Sequence, residues 1–353
     1  MTPSVPGPAL VQVAPGPGGV ADYMHCVERE WQARGSSSAA LMFAEPSGDA
    51  DTLGAQLARQ GVAAPQPLAL VVHFSGYGYG RRGLCFWLLD ELARVRAEWG
   101  ASLTLTVVFH ETFAFGPPWR TAFWLSKPQE YIARRLARMA DVLWTNTERH
   151  ARWLRGVVGQ ARALAVWPVF SNVGEPDSLP PCADRAPDAV VFGSAPTRQR
   201  TLDTLAPLSA ALHRLGIGAI VEAGEGPASI VPPGLPPIRH LGRLESMEVS
   251  RLLAATRFGL IEHAPSGLAK SGVFAAYAAH GCVVVRAGTG PGVHDGLVPG
   301  RHFLLAPSVA AGAEPAAVGT ALAEWYRPHR LALQAAELFE VATGRRRDGP
   351  ARG

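Results

Sequence analysis

Three stretches of this sequence gather residue types that can do polar chemistry. In Gly16-Pro17-Gly18-Gly19-Val20-Ala21-Asp22-Tyr23, the adjacent Gly18 and Gly19 leave backbone N–H groups bare at the start of a helical pattern, where they can approach an anion or a sugar. A tight strand-to-helix turn would use the same residues. The second stretch, His110-Glu111 to Trp119, follows the apolar run Leu103 to Phe109 and adds three aromatics to an imidazole and a carboxylate. Imidazole accepts a proton or a hydrogen bond near neutral pH, so His110 and Glu111 are the candidate catalytic pair. His73, Tyr77 and Trp119 are the candidate acceptor contacts, the tyrosine and tryptophan offering ring faces on which a sugar can pack.

The third stretch lies in the second half. Ser194, Arg198 and Arg200 follow the apolar run ending at Gly193, and Ser266-Gly267-Leu268-Ala269-Lys270-Ser271-Gly272 follows the run ending at Glu262. A lysine, a hydroxyl and a helix N-terminus in one segment suit a diphosphate. Gly193, Ser194, Arg198, Arg200, Lys270, Ser271 and Gly272 are therefore candidate diphosphate-binding residues. By contrast, Gly78-Tyr79-Gly80-Arg81-Arg82-Gly83 matches a dinucleotide glycine spacing but follows a later strand than the opening one. It reads better as an aromatic rim.

These residues need a frame, and the apolar pattern supplies one. Short apolar runs at Leu10 to Ala14, Ala40 to Ala44, Leu68 to Phe74, Leu103 to Phe109, Asp141 to Asn146 and Leu164 to Phe170 alternate with helical spacing, as in Leu84, Leu88, Leu92, Val95 and Trp99. Runs that apolar have no wet face, which predicts strands of a parallel sheet covered by helices on both sides. Ser126 to Gln129 reads as a capping box opening a helix to about Met139, with Pro128 in its first turn. The second half repeats the alternation from Ala189, with helices predicted over Gln199 to Leu215, Ser246 to Ala255, Ser271 to Ala279, and about Ala316 to Ala342 with a kink at Pro328. A length of 353 residues suits two domains. They are read as 1–174, a Pro- and Gly-rich linker 175–188, and 189–353, whose terminal helix can cross back to the first domain.

Composition narrows the function classes. With 48% hydrophobic and 18% charged residues the chain is a globular protein. A net charge of +4, shared with Arg345, Arg346, Arg347 and Arg352 in the tail, comes without a recognisable nucleic-acid module, so no nucleic-acid partner is expected. Cys26, Cys85, Cys182 and Cys282 are scattered without metal-ligand spacing, which reads as reduced thiols, no metal site and a cytoplasmic protein. No secretory signal or membrane span is expected. Arg134, Arg135 and Arg138, with Arg149, Arg152 and Arg155, read as a solvated face or as a peripheral contact with anionic lipid at the inner face of a membrane.

With those residues in view, the chain resembles the GT-B glycosyltransferases, and especially the family 4 glycosyltransferases of bacterial polysaccharide biosynthesis. The resemblance is carried by Gly18 to Tyr23, Ser171-Asn172, Val191-Phe192-Gly193, His240-Leu241-Gly242-Arg243-Leu244 and Gly288-Thr289-Gly290-Pro291-Gly292-Val293-His294-Asp295-Gly296, in an order that spans nearly the whole chain. It implies an α/β protein with two Rossmann-like, doubly wound parallel-sheet domains facing across a cleft. It further implies transfer of a sugar, of hexosyl or related type, from a nucleotide-diphosphate donor to a glycan, lipid-linked or small-molecule acceptor, without metal or cofactor. By position, Arg198 and Lys270 would face the donor diphosphate, Arg243 and Leu244 the base, Gly18 and Gly19 the donor from the first domain, and His110 the transferred sugar. One departure stands out. The family has two glutamates framing the helix after the donor loop, whereas Leu268 to Gly281 holds no acidic residue. A catalytically silent nucleotide-sugar-binding or scaffold protein, and a sugar-nucleotide epimerase on the same fold, are the alternatives.

Overall fold

A computed structural model describes residues 8–114, 116, 119, 121–288, 292–309 and 314–344. The arginine-rich tail from Arg345, the signature residues Thr289-Gly290-Pro291, and Phe115, Pro117 and Pro118 lie outside the described residues. The chain forms two compact units, one of residues 1–167 together with 331–353, the other of residues 168–330. The division thus falls seven residues before the position 174 expected from the sequence, and the last helix, Leu331–Thr343, belongs to the first unit.

The first unit is built on strands β1 (Ala9–Ala14), β2 (Ser38–Met42), β3 (Leu68–Phe74), β4 (Leu103–Phe109), β5 (Val142–Thr145) and β6 (Leu164–Val166). They form one sheet in the order β2-β1-β3-β4-β5-β6, with every neighbouring pair parallel. All seven residues of β3 are buried, as its unbroken apolar run requires when helices cover both faces. Leu70, Val72, Leu105 and Val107 pack on one side against Leu88, Leu92, Ile132 and Leu136.

The second unit carries β7 (Ala186–Phe192), β8 (Ile220–Ala223), β9 (Ile238–His240), β10 (Thr256–Ile261), β11 (Val283–Arg286) and β12 (Leu304–Leu305), in the order β12-β11-β10-β7-β8-β9 and again parallel. Each sheet reverses its winding once, between β1 and β3 in the first unit and between β7 and β10 in the second. The crevice beyond the carboxyl ends of such a strand pair is where open parallel sheets bind ligands.

Helix bounds differ from the sequence pattern where proline acts. The helix predicted to start near Ser126 runs Thr121–Met139, with Pro128 inside it. Ser126 is no cap, because its hydroxyl bonds back to the Phe123 carbonyl at 2.6 Å. The predicted Gln199–Leu215 helix breaks at Pro207 into Ala195–Leu205 and Ser209–Arg214, and the terminal helical region divides into Pro315–Tyr326 and Leu331–Thr343 around Pro328.

Candidate functional site

In the first unit, three polar side chains occupy one face of the sheet. Gln12 of β1 pairs in register with Val71 of β3, and His73 of β3 pairs with Val108 of β4. Because strand side chains alternate, His73 lies two residues on from the neighbour of Gln12, and His110 two on from the neighbour of His73. The result is a contiguous chain. His73 Nδ1 is 3.3 Å from His110 Nε2, and its Nε2 is 2.9 Å from Gln12 Oε1. Gln12 Nε2 donates to Glu28 Oε2 at 2.8 Å, and the other Glu28 oxygen accepts from Ser38 Oγ and Gln32 Nε2. The Tyr23 ring meets His110 edge-on at 4.9 Å, and its hydroxyl donates to Gln334 Oε1 of the terminal helix.

Burial lowers the His73 pKa well below the usual histidine value, and the neighbouring His110 adds to the effect, so His73 stays neutral. The expectation that His73 contacts an acceptor is therefore corrected. Its side chain is wholly buried, and among the described residues its polar contacts are with Gln12 and His110. His110 is 8% exposed and sits where the chain of contacts reaches the carboxyl end of β4. Glu111, beside it in sequence, is exposed and lines a pocket with Tyr77, Gly76, Gly83, Thr112, Phe113 and Gln129. Trp119 is 83% exposed.

The glycine-rich loops at this switch point play different parts. Gly18 is exposed with φ 145°, a conformation closed to most side chains, and is the N-cap of the helix Gly19–Ala33. A Cβ on either Gly18 or Gly19 would meet nothing within 4 Å. In the Gly78–Gly83 motif, by contrast, a Cβ would come 2.6 Å from Pro15 at Gly78, 2.4 Å from the Leu84 carbonyl at Gly80 and 2.8 Å from Gln129 at Gly83. Close packing of its own loop accounts for these glycines.

In the second unit, Arg198 is almost completely buried. Its guanidinium donates to Glu222 Oε1 at 2.7 Å and to the carbonyls of Gly193, Glu225 and Pro227 at 2.5, 3.0 and 2.9 Å. Glu222 also accepts from Ser229 and His240, and Arg198, Glu222 and His240 line a small pocket with Gly224, Gly226 and Gly242. Most of the Arg198 donors are thus engaged within the unit, leaving less for a diphosphate than its sequence position implies. Ser194 shares a hydrogen bond with Thr197, while Arg200 is exposed. Arg243 is exposed and 3.8 Å from Glu225, and Leu244 is half-buried beside it.

Beyond β10 and β11 the structure gathers cations. Lys270 ends a short 3-10 helix, Pro265–Lys270. Ser271 then caps the helix Gly272–Ala279 by accepting from the Phe274 N–H at 3.3 Å. Arg286, 4% exposed at the end of β11, donates to the His263 carbonyl at 2.6 Å. Burial lowers the His263 pKa, and the charges of Lys270 and Arg286 lower it further.

The sequence reading missed Gln12, Glu28, Glu222 and Arg286. A signal for two of them was present: Gln12 and Glu222 each interrupt an apolar strand, and a polar group buried there must find partners. Among the described residues no group of three or more His, Cys, Asp or Glu is placed to hold a metal ion. The sequence does hold one Asp-x-Asp triplet, Asp49-Ala50-Asp51, which forms a single 3-10 turn in which Asp51 accepts from the Ser47 hydroxyl.

No family model matches the sequence, and no curated protein matches it. Solved structures do match the fold. An alpha-glucosyltransferase in complex with UDP and a 13-mer DNA containing a HMU base is similar over 96% of this chain and 100% of its own, with a TM-score of 0.58 and 10% identity. A UDP-forming alpha, alpha-trehalose-phosphate synthase from Burkholderia xenovorans is similar over 95% and 98%, with a TM-score of 0.57 and 13% identity. A UDP-glucosyltransferase from Polygonum tinctorium covers 96% and 98% at a TM-score of 0.50 and 11% identity. The chain has the GT-B architecture. The exclusion of nucleic acid from its partners does not stand, because structures of this same architecture hold DNA, with UDP in one case and with UDP-glucose and an abasic site in another.

Proposed function

We propose that this chain is a glycosyltransferase that moves a sugar from a nucleoside-diphosphate donor to an acceptor hydroxyl. The observation that carries the reading is the capped N-terminus of the helix Gly272–Ala279 beyond β10, with Lys270 immediately before its cap Ser271 and Arg286 at the end of the neighbouring strand β11. A departing diphosphate gathers negative charge at such a place. Two unit charges about 4 Å apart attract by about 4 kcal/mol at an effective dielectric near 20, so cations held ready there stabilise the leaving group as it forms. In the first unit, His110 and Glu111 at the end of β4 are the candidate catalytic imidazole and carboxylate.

The GT-B architecture and the UDP-using enzymes that share it support this reading. The narrower likeness to the family 4 polysaccharide enzymes rests on the sequence signatures. DNA belongs among the acceptors to be tried, alongside glycans, lipid-linked sugars and small hydroxyl compounds. A binding-only protein is the second reading, favoured by the absence of any acidic residue from Leu268 to Gly281.

Calorimetric titration of nucleoside diphosphates and the matching monophosphates tests the donor site. Lys270→Ala removes a charge-assisted hydrogen bond worth about 1.5 to 3 kcal/mol, which is roughly tenfold to a hundredfold in affinity. The loss is expected for the diphosphate and not for the monophosphate. An equal loss for both ligands, or none, overturns the diphosphate site. Release of sugar from the tightest-binding nucleotide sugar then separates an enzyme from a silent binder.

A further inference from the structure

We infer that the outward face of the helix Thr121–Met139 is a docking surface for an anionic lipid bilayer, with its aromatic rings in the interface and its cations against the headgroups. At 3.6 residues per turn, residues three and four apart share a face. Gln129, Ile132, Ala133, Leu136 and Ala137 follow that spacing, and all are buried. Trp124, Lys127, Tyr131, Arg135 and Arg138 follow it on the opposite side, and all are exposed.

The exposed stripe is aromatic as well as charged. Trp124 is 72% exposed and Tyr131 53%, and the exposed Phe123 ring meets Trp124 edge-on at 5.4 Å. From the neighbouring helix Phe86–Trp99, the exposed Phe86 comes within 6.2 Å of the Tyr131 ring, so the aromatic surface extends beyond one helix. Apolar residues exposed singly need no explanation, whereas a contiguous group of rings marks a surface that meets something apolar. The same helix carries four cations, Lys127, Arg134, Arg135 and Arg138, against one acid, Glu130. Glu130 binds Arg134 at 2.7 Å and lies 3.6 Å from Lys127. Among the described residues Arg135 and Arg138 have no carboxylate partner, so the face keeps an excess of positive charge beside its rings.

That combination selects the occupant. A DNA duplex offers phosphates to the cations but no apolar layer to receive Phe123 and Trp124. A second copy meeting this face across a two-fold axis would cover the rings but set the cations of one copy against those of the other. An anionic bilayer takes both. Tryptophan and tyrosine rings sit at headgroup level, and long lysine and arginine side chains keep their charge among the phosphates while their stems lie on apolar surface. Among the described residues no helix is long and apolar enough to cross a membrane, so the helix lies on the surface.

Flotation of the full-length protein tests this with vesicles of phosphatidylcholine alone and of phosphatidylcholine with one third phosphatidylglycerol. The protein should float with the anionic vesicles, stay behind with the neutral ones, and release as salt rises. Lys127→Gln together with Arg135→Gln should lower partitioning about twentyfold, at about fivefold for each charge lost. Phe123→Ser together with Trp124→Ser should lower it about tenfold or more. Brominated acyl chains should quench tryptophan emission, and Trp124→Phe should lose part of that quenching. All these side chains are exposed, so melting temperatures should match wild type. Equal binding to both vesicle types, binding to neither, or anionic binding untouched by the double variants overturns the inference. So does retention on duplex DNA without flotation, which gives the cations to nucleic acid, or a dimer broken by Trp124→Ser without flotation, which gives the rings to a second copy. Vesicle binding is read without a sugar donor. A protein that floats as described but transfers no sugar would therefore lose the proposed function and keep this surface.

Discussion

Arg198 donates its Nε–H to Glu222 at 2.7 Å with both side chains almost wholly shielded from water, at 2% and 3% exposure. A charge pair so placed is sensitive to losing one member, since the survivor is left buried and uncompensated. Arg198→Met should therefore cost about 3 to 5 kcal/mol of stability in denaturant unfolding. Arg198→Lys should recover little, because a single ammonium cannot reach Glu222 and three carbonyls together. A loss below about 1 kcal/mol would return Arg198 to the ligand-binding role its position in the sequence suggests.

Acid should weaken the second unit through the same carboxylate. Burial works against ionising Glu222, but hydrogen bonds from Ser229, Arg198 and His240 outweigh it and hold the pKa below the ordinary value of 4.5. A carboxyl group whose pKa is lower in the folded protein stabilises the fold at pH above its unfolded value, and that contribution disappears as pH falls through the folded value. Unfolding free energy followed downward from neutral pH should thus begin to drop below about 4.5. In Glu222→Gln the drop should be shallower, from a lower starting stability. A variant with the same acid limb as wild type would show that another carboxylate is responsible.

The frame was legible because the strands are apolar throughout. Leu68–Phe74 and Leu103–Phe109 could be read as buried parallel strands since each is too continuously apolar for a wet face. Helix bounds were less legible where a rule met competing context. Ser126 and Pro128 look like a helix start, yet the helix begins at Thr121. The site was legible as positions rather than contacts. His110 follows directly on β4 and Lys270 ends the 3-10 helix beyond β10, but nothing local to Arg198 tells that four of its hydrogen bonds point inward. His73 shows the same limit, since a histidine at a strand's penultimate position faces either the ligand or the core according to register.

Gly18 and Gly19 should separate backbone demand from ligand approach. Gly18 has φ 145°, so Gly18→Ala strains the fold and should lower the melting temperature whatever the ligand does. A Cβ at Gly19 meets nothing within 4 Å, so Gly19→Ala should leave stability within about 0.5 kcal/mol. If the donor or its sugar approaches this turn, Gly19→Ala nevertheless reduces turnover. Full activity in that variant would leave the turn with a structural part only.

Proton uptake on binding is the sharpest signature expected of the second unit's cation locus. In the empty protein, burial together with the charges of Lys270 and Arg286 lowers the His263 pKa from 6.5, although a backbone hydrogen bond and Glu262 partly oppose them. His263 is thus less readily protonated near its ordinary pKa than a free histidine. A diphosphate placed among these groups brings negative charge, which offsets the two cations and raises the proton affinity of the ring. Binding should therefore draw a fraction of a proton from solution, and diphosphate affinity should rise as pH falls through this range. Calorimetry in two buffers of different ionisation enthalpy measures that fraction as the slope of apparent enthalpy against buffer enthalpy. If the proposed site is right, His263→Gln should flatten the slope while leaving most of the affinity, because Lys270, Arg286 and the helix N-terminus would still face the phosphates. Lys270→Ala should also reduce the uptake, since a His263 relieved of one cation starts closer to its ordinary pKa. Proton release on binding, or an uptake untouched by His263→Gln, would place the diphosphate away from His263 and with it away from the end of β10.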